Sequence, residues 1–265
     1  MRAFERLRFG EVTHVMAVIN LSPESRNVQT VAVDLDQARA MAHRYHDWGA
    51  SVIDLGGQSS HYDNPTISSE KELARLLPAV TALVGDGFVV SVDTWKPEVA
   101  RDCLAAGASI INDTGGLTDP AMVAAIADAG AAAVAVYVEG INPHDVGTID
   151  TGPDKARRTA GLFRQRLRDL DAAGVKDVIV DPGIALNYRG DYEAYTRLQL
   201  EVIRESSFLR ELDRPLLIPI PRKRELARVM AFVTLALEYQ ADMIRVHDPK
   251  PACDLARLFG RLPQS

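Results

Sequence analysis

Short, continuous apolar runs recur along the whole chain, and they constrain its fold more than any other feature. They run from His14 to Ile19, Ser51 to Leu55, Phe88 to Val92, Ser109 to Ile111, Ala133 to Val138, Val178 to Val180, Leu216 to Ile220 and Met243 to Val246. They do not alternate apolar with polar residues, so each reads as a strand covered on both faces, as in parallel β-structure.

Helical segments fill the gaps. Asp34 is placed to cap a helix that runs to Trp48 and stops at Gly49, and Ser69 with Glu72 has capping-box spacing ahead of Leu73, Leu76 and Leu77. Pro97 suits the first turn of a helix through Ala106, with Gly107 as its stop. Longer helices are expected over 155–173, 192–208 and 225–240. Eight strands alternating with helices predict an α/β protein, a single (β/α)8 TIM barrel that occupies residues 1–265 as one domain. A doubly wound open sheet is the alternative, but no GxGxxG turn follows the first run.

Composition narrows the function classes. The formal net charge of −6 argues against a nucleic-acid role, which usually needs a basic face. No apolar run approaches the roughly 20 residues of a membrane span. The start, Met1-Arg2-Ala3-Phe4-Glu5-Arg6, has charges where a signal peptide needs an apolar stretch, so a cytoplasmic protein without membrane or nucleic-acid partners is expected. Cys103 and Cys253 have no metal-ligand spacing and read as reduced core thiols.

In a barrel the chemistry gathers where the strands run out. The first run ends in Asn20, the second in Gly56-Gly57-Gln58-Ser59, the third in Asp93-Thr94, the fourth in Asn112-Asp113 and the sixth in Asp181-Pro182-Gly183. The last two end in Arg222-Lys223 and in Arg245-Val246-His247. Singly, each Asp or Asn is explained by turn or helix capping, and Asp54 and Asp113 read as scaffold. Jointly, Asn20, Asp93, Asn112, Asp181, Lys223, Arg245 and His247 should converge on one mouth.

That set has a coherent chemistry. Asp181, Asp93 and Asn112 suit a flat heterocycle with an amino group and ring N–H, because a carboxylate accepts two parallel hydrogen bonds from such an edge. Lys223 can donate to a ring carbonyl and nitrogen, Arg245 and His247 offer positive charge to phosphate oxygens, and Asn20 can ligate a divalent ion. No nucleophile elbow or P-loop is present, which argues against covalent serine or cysteine catalysis.

The chain resembles the dihydropteroate synthase family of pterin-binding barrels. The resemblance lies in Met16-Ala-Val-Ile-Asn-Leu-Ser-Pro-Glu-Ser25, Gly49-Ala-Ser-Val-Ile-Asp-Leu-Gly-Gly-Gln-Ser59 and Ser91-Val-Asp-Thr-Trp-Lys-Pro-Glu-Val-Ala100. It continues in Ile110-Ile-Asn-Asp113, Asp181-Pro-Gly-Ile184, Arg222-Lys223 and Ile244-Arg-Val-His-Asp248, in family order across nearly the whole chain. The resemblance implies a homodimeric enzyme that joins 6-hydroxymethyl-dihydropterin pyrophosphate to p-aminobenzoate with Mg2+ assisting. It places Asp93, Asn112, Asp181 and Lys223 on the pterin ring. It places Asn20, as metal ligand, with Arg245 and His247 on the pyrophosphate, and makes Lys223, Arg245 and His247 the catalytic set.

Departures fall on the loops that serve the second substrate. The usual Thr-Pro-Asp-Ser-Phe is Ser22-Pro23-Glu24-Ser25-Arg26 here, and the Asp-Gly-Gly stretch after it is missing. The usual Glu-Ser-Thr-Arg-Pro-Gly is Gln58-Ser59-Ser60-His61-Tyr62-Asp63, and the serine that meets the p-aminobenzoate carboxylate is Arg224. After Asp181-Pro182-Gly183-Ile184 the usual Gly-Phe-Gly-Lys is Ala185-Leu186-Asn187-Tyr188, and the histidine usual near the end of strand five aligns with Tyr137. Arg26, His61 and Arg224 are therefore expected to border the acceptor, which is p-aminobenzoate or a different amine. Two other readings stay open at this point: one-carbon transfer from a folate, and a binding protein without turnover.

Overall fold

Two apolar cores, one inside the sheet and one outside it, determine how this chain folds. The computed structural model describes residues 3–261; Met1 and Arg2 of the charged start, and residues 262–265 of the expected domain, lie outside the described residues. The strands are β1 (His14–Asn20), β2 (Val52–Gly56), β3 (Val90–Asp93), β4 (Ile110–Asp113), β5 (Ala132–Val136), β6 (Val178–Asp181), β7 (Leu217–Pro219) and β8 (Met243–Val246). They form one parallel sheet in the order β6-β5-β4-β3-β2-β1-β8-β7. A bridge between Val180 and Leu216 joins its ends into a nearly closed (β/α)8 barrel.

The helices are α1 (Leu35–Trp48), α2 (Ser69–Gly85), α3 (Pro97–Ala105), α4 (Pro120–Ala129), α5 (Lys155–Ala172), α6 (Tyr192–Arg204), α7 (Ser207–Arg210), α8 (Leu226–Glu238) and α9 (Pro249–Phe259). Asp34 caps α1 as expected, accepting from the Gln37 amide at 2.8 Å. For α2 the cap is Ser68 rather than Ser69, one position earlier, because the Ser68 hydroxyl is the one that reaches the Lys71 amide. The helix expected over 192–208 breaks at Glu205–Ser206 into α6 and α7. Helices α4 and α9 each begin at a proline that follows an Asp, a start signal also present in the sequence. No helix of the described residues is long and apolar enough to cross a membrane. Both cysteines are buried and unpaired.

Alternation along the strands separates the two cores. Ala17, Ile19, Ile53, Leu55, Val92, Ile111, Ala133 and Val180 pack outward against the helices. Met16, Val52, Ile110, Val134, Ile179, Leu217 and Met243 fill the barrel, with Phe4 and Phe9 packed against them. The inward-facing side chains follow a period of two. Two or four residues further on, the same inward positions are therefore Asp54, Asn112, Asp181, Arg245 and Asn20. The interior is thus apolar at its base and polar toward the strand ends.

Register then sets the height of each group. Asn20 pairs with Gly56, Gly56 with Asp93, and Asp93 with Asn112, which makes one row. Strand β7 stops at Pro219, shorter than the run to Ile220, because Pro219 and Pro221 have no N–H for a ladder. The Ile220 amide still donates to the Arg245 carbonyl at 2.9 Å and holds the segment beside β8.

Gly183 is the tightest turn at this end. Its φ is +70°, and a Cβ there would sit 1.8 Å from the Tyr137 carbonyl oxygen. Gly183→Ala combines left-handed backbone strain with displacement of β5, and we expect a loss of at least about 2 kcal/mol. A urea midpoint unchanged from wild type would contradict this account of the turn.

Candidate active site

A cavity of about 700 Å³ opens at the C-terminal ends of the strands. Its lining includes every residue singled out from the sequence: Asn20, Arg26, His61, Asp93, Asn112, Asp181, Lys223, Arg224, Arg245 and His247. Their directions within it differ from what residue type alone suggests.

The floor is built on Arg245. Its Nε donates to Asp54 Oδ2 and its Nη2 to Asp93 Oδ2, each at 2.7 Å. Asn112 Nδ2 donates to the same Asp54 oxygen at 3.2 Å. Asp54, read as scaffold, is fully buried and organises the site from below; Asp113 accepts from the Gly115 and Leu117 amides and shapes a turn. The guanidinium of Arg245, expected to serve phosphate oxygens, gives two of its nitrogens to carboxylates and keeps Nη1 unengaged.

That one cation stands among Asp54, Asp93 and Asp181, whose charges act on one another. Burial, reinforced by the neighbouring carboxylates, raises Asp93 to about 7 against the pull of Arg245. Burial also raises Asp181 to about 7, although its Oδ1 accepts from the Gly183 amide at 2.6 Å. Asp54 Oδ1 and Asn112 Oδ1 are buried acceptors without a hydrogen-bond partner. The floor therefore has more acceptor capacity than the protein satisfies.

On β1, between β2 and β8, Asn20 Nδ2 donates to Thr30 Oγ1 at 2.6 Å, and that hydroxyl donates to the Asn27 carbonyl at 2.9 Å. Asn27 Nδ2 lies 3.1 Å from His247 Nε2, and Thr30 Oγ1 lies 3.5 Å from His247 Nδ1. An amide donor at Nε2 assigns the ring proton to Nδ1. Burial first, then the charges of Arg245 and Arg222, lower His247 to about 3. The low value favours the uncharged imidazole in the ligand-free cavity, where a cationic ring was the expectation.

The divalent-ion expectation rests on Asn20 alone. Among the described residues no cluster of three or more His, Cys, Asp or Glu side chains is placed to hold a metal. One amide oxygen fits a magnesium ion that arrives with a diphosphate and keeps most of its own waters. It does not make a resident metal site.

Lys223 lines the cavity, but its ammonium points into α6. Nζ donates to Thr196 Oγ1 at 2.9 Å and to Gln199 Oε1 at 2.7 Å, with the Tyr192 ring 4.8 Å and the Phe232 ring 5.0 Å away. Burial lowers it to about 8. The sequence reading missed Thr196 and Gln199; their spacing of three on a helix with an apolar stripe was the available signal.

With this geometry in view, the likeness to known proteins is decisive. The family described as pterin binding enzyme matches residues 16–247. The dihydropteroate synthase of Bacillus subtilis is 30% identical over 97% of this chain and 90% of its own length. The chain belongs to the dihydropteroate synthase family.

The mitochondrial folate synthesis bifunctional protein of Arabidopsis thaliana is 31% identical over 94% of this chain, which spans 50% of that longer protein. A crystal structure of dihydropteroate synthase from Burkholderia cenocepacia, complexed with 7,8-dihydropteroate, matches with a TM-score of 0.78 at 29% identity, covering 94% of this chain and 91% of that one. This member of the dihydropteroate synthase family is a pterin-binding transferase.

Its mouth carries the departures from the family pattern. Arg26 pairs with Asp63 at 3.2 Å, linking the loops after β1 and β2. His61 Nδ1 accepts from the Asp63 amide at 3.1 Å, and burial with the nearby Arg26 lowers its pKa. The second of these loops is anchored by Lys96, whose Nζ donates to Gln58 Oε1 at 2.7 Å, the Ile67 carbonyl at 2.6 Å and Glu72 Oε2 at 2.7 Å. Tyr137 donates to Glu139 at 3.3 Å and packs beside Lys155. Arg222 and Arg224 are exposed on the opposite rim.

The raised floor carboxylate has a testable consequence. Asp181 titrates at about 7 when folded and near 3.8 when unfolded, so its contribution to stability is full below pH 3.8 and is lost as pH rises through 7. Urea stability of the wild type, compared with Asp181→Asn, should decline across that window and then level off. A difference independent of pH would refute the raised value.

Proposed function

We propose that this transferase condenses 6-hydroxymethyl-dihydropterin diphosphate with an aryl amine and releases diphosphate. The observation that carries the reading is the acceptor-rich wall of the cavity: Asn112, whose Oδ1 has no partner, beside Asp93 and Asp181, with Asp54 buried beneath them. The 2-amino, ring N3–H and N8–H groups of a dihydropterin supply donors to such a wall. Ring binding favours the ionised form of Asp181, because a carboxylate that accepts two N–H groups is stabilised against protonation.

The chemistry then needs little from the protein beyond placement and charge. The bond between the pterin methylene carbon and the diphosphate oxygen breaks and the electron pair leaves with the diphosphate. The carbon, cation-like for an instant, accepts the lone pair of the amine, which then releases its proton to solvent or to diphosphate. Asn20, Asn27 and His247 offer hydrogen-bonding groups beside the leaving group. Asn20 would hold a magnesium ion carried by the diphosphate, and that ion would supply charge neutralisation.

Arg224, on the rim, suits a carboxylate on the acceptor, which a guanidinium grips with two parallel hydrogen bonds. The acceptor is accordingly p-aminobenzoate or another anionic aryl amine. The same reading takes the protein as a cytoplasmic homodimer, on the strength of the family resemblance. A binding protein without turnover is the second reading, and what favours it is the engagement of Lys223 by Thr196 and Gln199.

Incubation with the pterin diphosphate, magnesium and p-aminobenzoate should release diphosphate and form dihydropteroate. Tight pterin binding with no product from any aryl amine would favour the second reading. Asp181→Ala should weaken pterin binding about ten- to hundredfold, since two ring donors lose their acceptor at about 1–3 kcal/mol. Unchanged affinity would remove the floor as the ring site.

A further inference from the structure

We propose that Gln199 of α6 is a positioning residue for the pterin ring: its side-chain amide fixes where Lys223 stands relative to Asp181. The inference rests on the transferase reading above, and it gives the engagement of Lys223 by α6 a role in that reading.

Gln199 is 3% exposed and is not itself part of the cavity lining. Its Nε2 donates to the Ile184 carbonyl at 2.6 Å, and its Oε1 accepts from Lys223 Nζ at 2.7 Å. A carbonyl only accepts and an ammonium only donates, so the two partners allow the amide one orientation. Tyr195, one helical turn earlier, holds the same Ile184 carbonyl from its hydroxyl at 3.0 Å. Ile184 follows Gly183, whose amide donates to Asp181 Oδ1 at 2.6 Å. A continuous path of hydrogen bonds and backbone therefore runs from Asp181 through Ile184 and Gln199 to Lys223.

The barrel needs a tie at this place. Among the described residues β6 and β7 share a single isolated bridge, Val180 with Leu216, whereas β5 with β6 and β7 with β8 share ladders. Asp181 ends β6 and Lys223 follows β7, so the sheet itself fixes their separation least well. A flat, rigid ring that gives N–H groups to Asp181 and receives one from Lys223 needs that separation to be constant. Thr196 and Gln199 take two of the three ammonium N–H groups, and the third remains for a ligand acceptor in the cavity that Lys223 lines. The Tyr192 and Phe232 rings flank the ammonium, which keeps its long stem in place before the ligand arrives. Rotamer freedom lost in advance is not lost again on binding.

The test is calorimetric titration of 6-hydroxymethylpterin into wild type, Gln199→Met, Gln199→Glu, Lys223→Met and the double variant Gln199→Met with Lys223→Met. Gln199→Met keeps the bulk of the buried side chain and loses both polar contacts. It should bind pterin about tenfold more weakly, and the double variant should bind no more weakly than Lys223→Met alone, because the two residues act as one unit. Gln199→Glu still accepts from Lys223 and should recover part of the loss. Wild-type affinity in Gln199→Met or in Lys223→Met, additive losses in the double variant, or no recovery in Gln199→Glu overturns the inference and leaves the transferase reading standing. Wild-type protein that binds no pterin overturns both.

Discussion

The structure of the site depends on one guanidinium placed among buried carboxylates. Arg245 bridges Asp54 on β2 and Asp93 on β3, with Asp181 on β6 close enough to raise the local demand for protons. A single cation cannot neutralise three buried carboxylates, and removing it would leave charges that the interior solvates poorly. The arrangement stays stable because part of the deficit is met by protonation, and part by backbone and amide donors at Gly183 and Asn112. What remains is an acceptor-rich pocket that a donor-rich flat ring completes. Ligand affinity and local instability thus have the same origin.

Committing Arg245 to the floor has a cost on the phosphate side. Burial first, then its charge and that of Arg222, hold the His247 imidazole well below its ordinary range. The two strand-eight side chains that look from sequence like a pair of phosphate-binding cations therefore divide into a cation bound to carboxylates and a hydrogen-bonding ring. Further positive charge stands in the next layer out, where the segment after β7 carries Arg222 and Arg224 on the rim. The prolines at 219 and 221 matter here, since they end the ladder early and free the following residues from strand geometry.

The sequence made much of this legible, but unevenly. Continuous apolar runs located the strands within two residues of their ends, because both faces of each strand are buried. Strand-end polarity located the residues that share the cavity, because the inward face keeps a period of two. Side-chain direction was not legible. Arg245 meets Asp54 across 191 positions of sequence, and Lys223 meets Gln199 across 24. No local rule links such residues. The break between α6 and α7 was equally hidden, since Glu205 and Ser206 carry no proline or glycine to mark it.

The two loops at the mouth show how a divergent chain can keep its floor while altering its rim. Their bases are fixed by partly buried charge pairs: Glu24 grips Arg75 on α2 with both carboxylate oxygens, and Lys96 donates to Gln58 and Glu72 together. Their tips meet through Arg26 and Asp63, both more than half exposed, a contact worth at most about 1 kcal/mol in water. Substitution at the tips therefore costs the fold little, whereas substitution at the bases would uncover a buried charge. The departure from the family pattern at Arg26 falls where that energetic tolerance lies, whereas those at Glu24 and Gln58 fall at the bases and are matched there by Arg75 and Lys96. Acceptor choice is thus free to change on a frame whose pterin floor is held by the barrel itself.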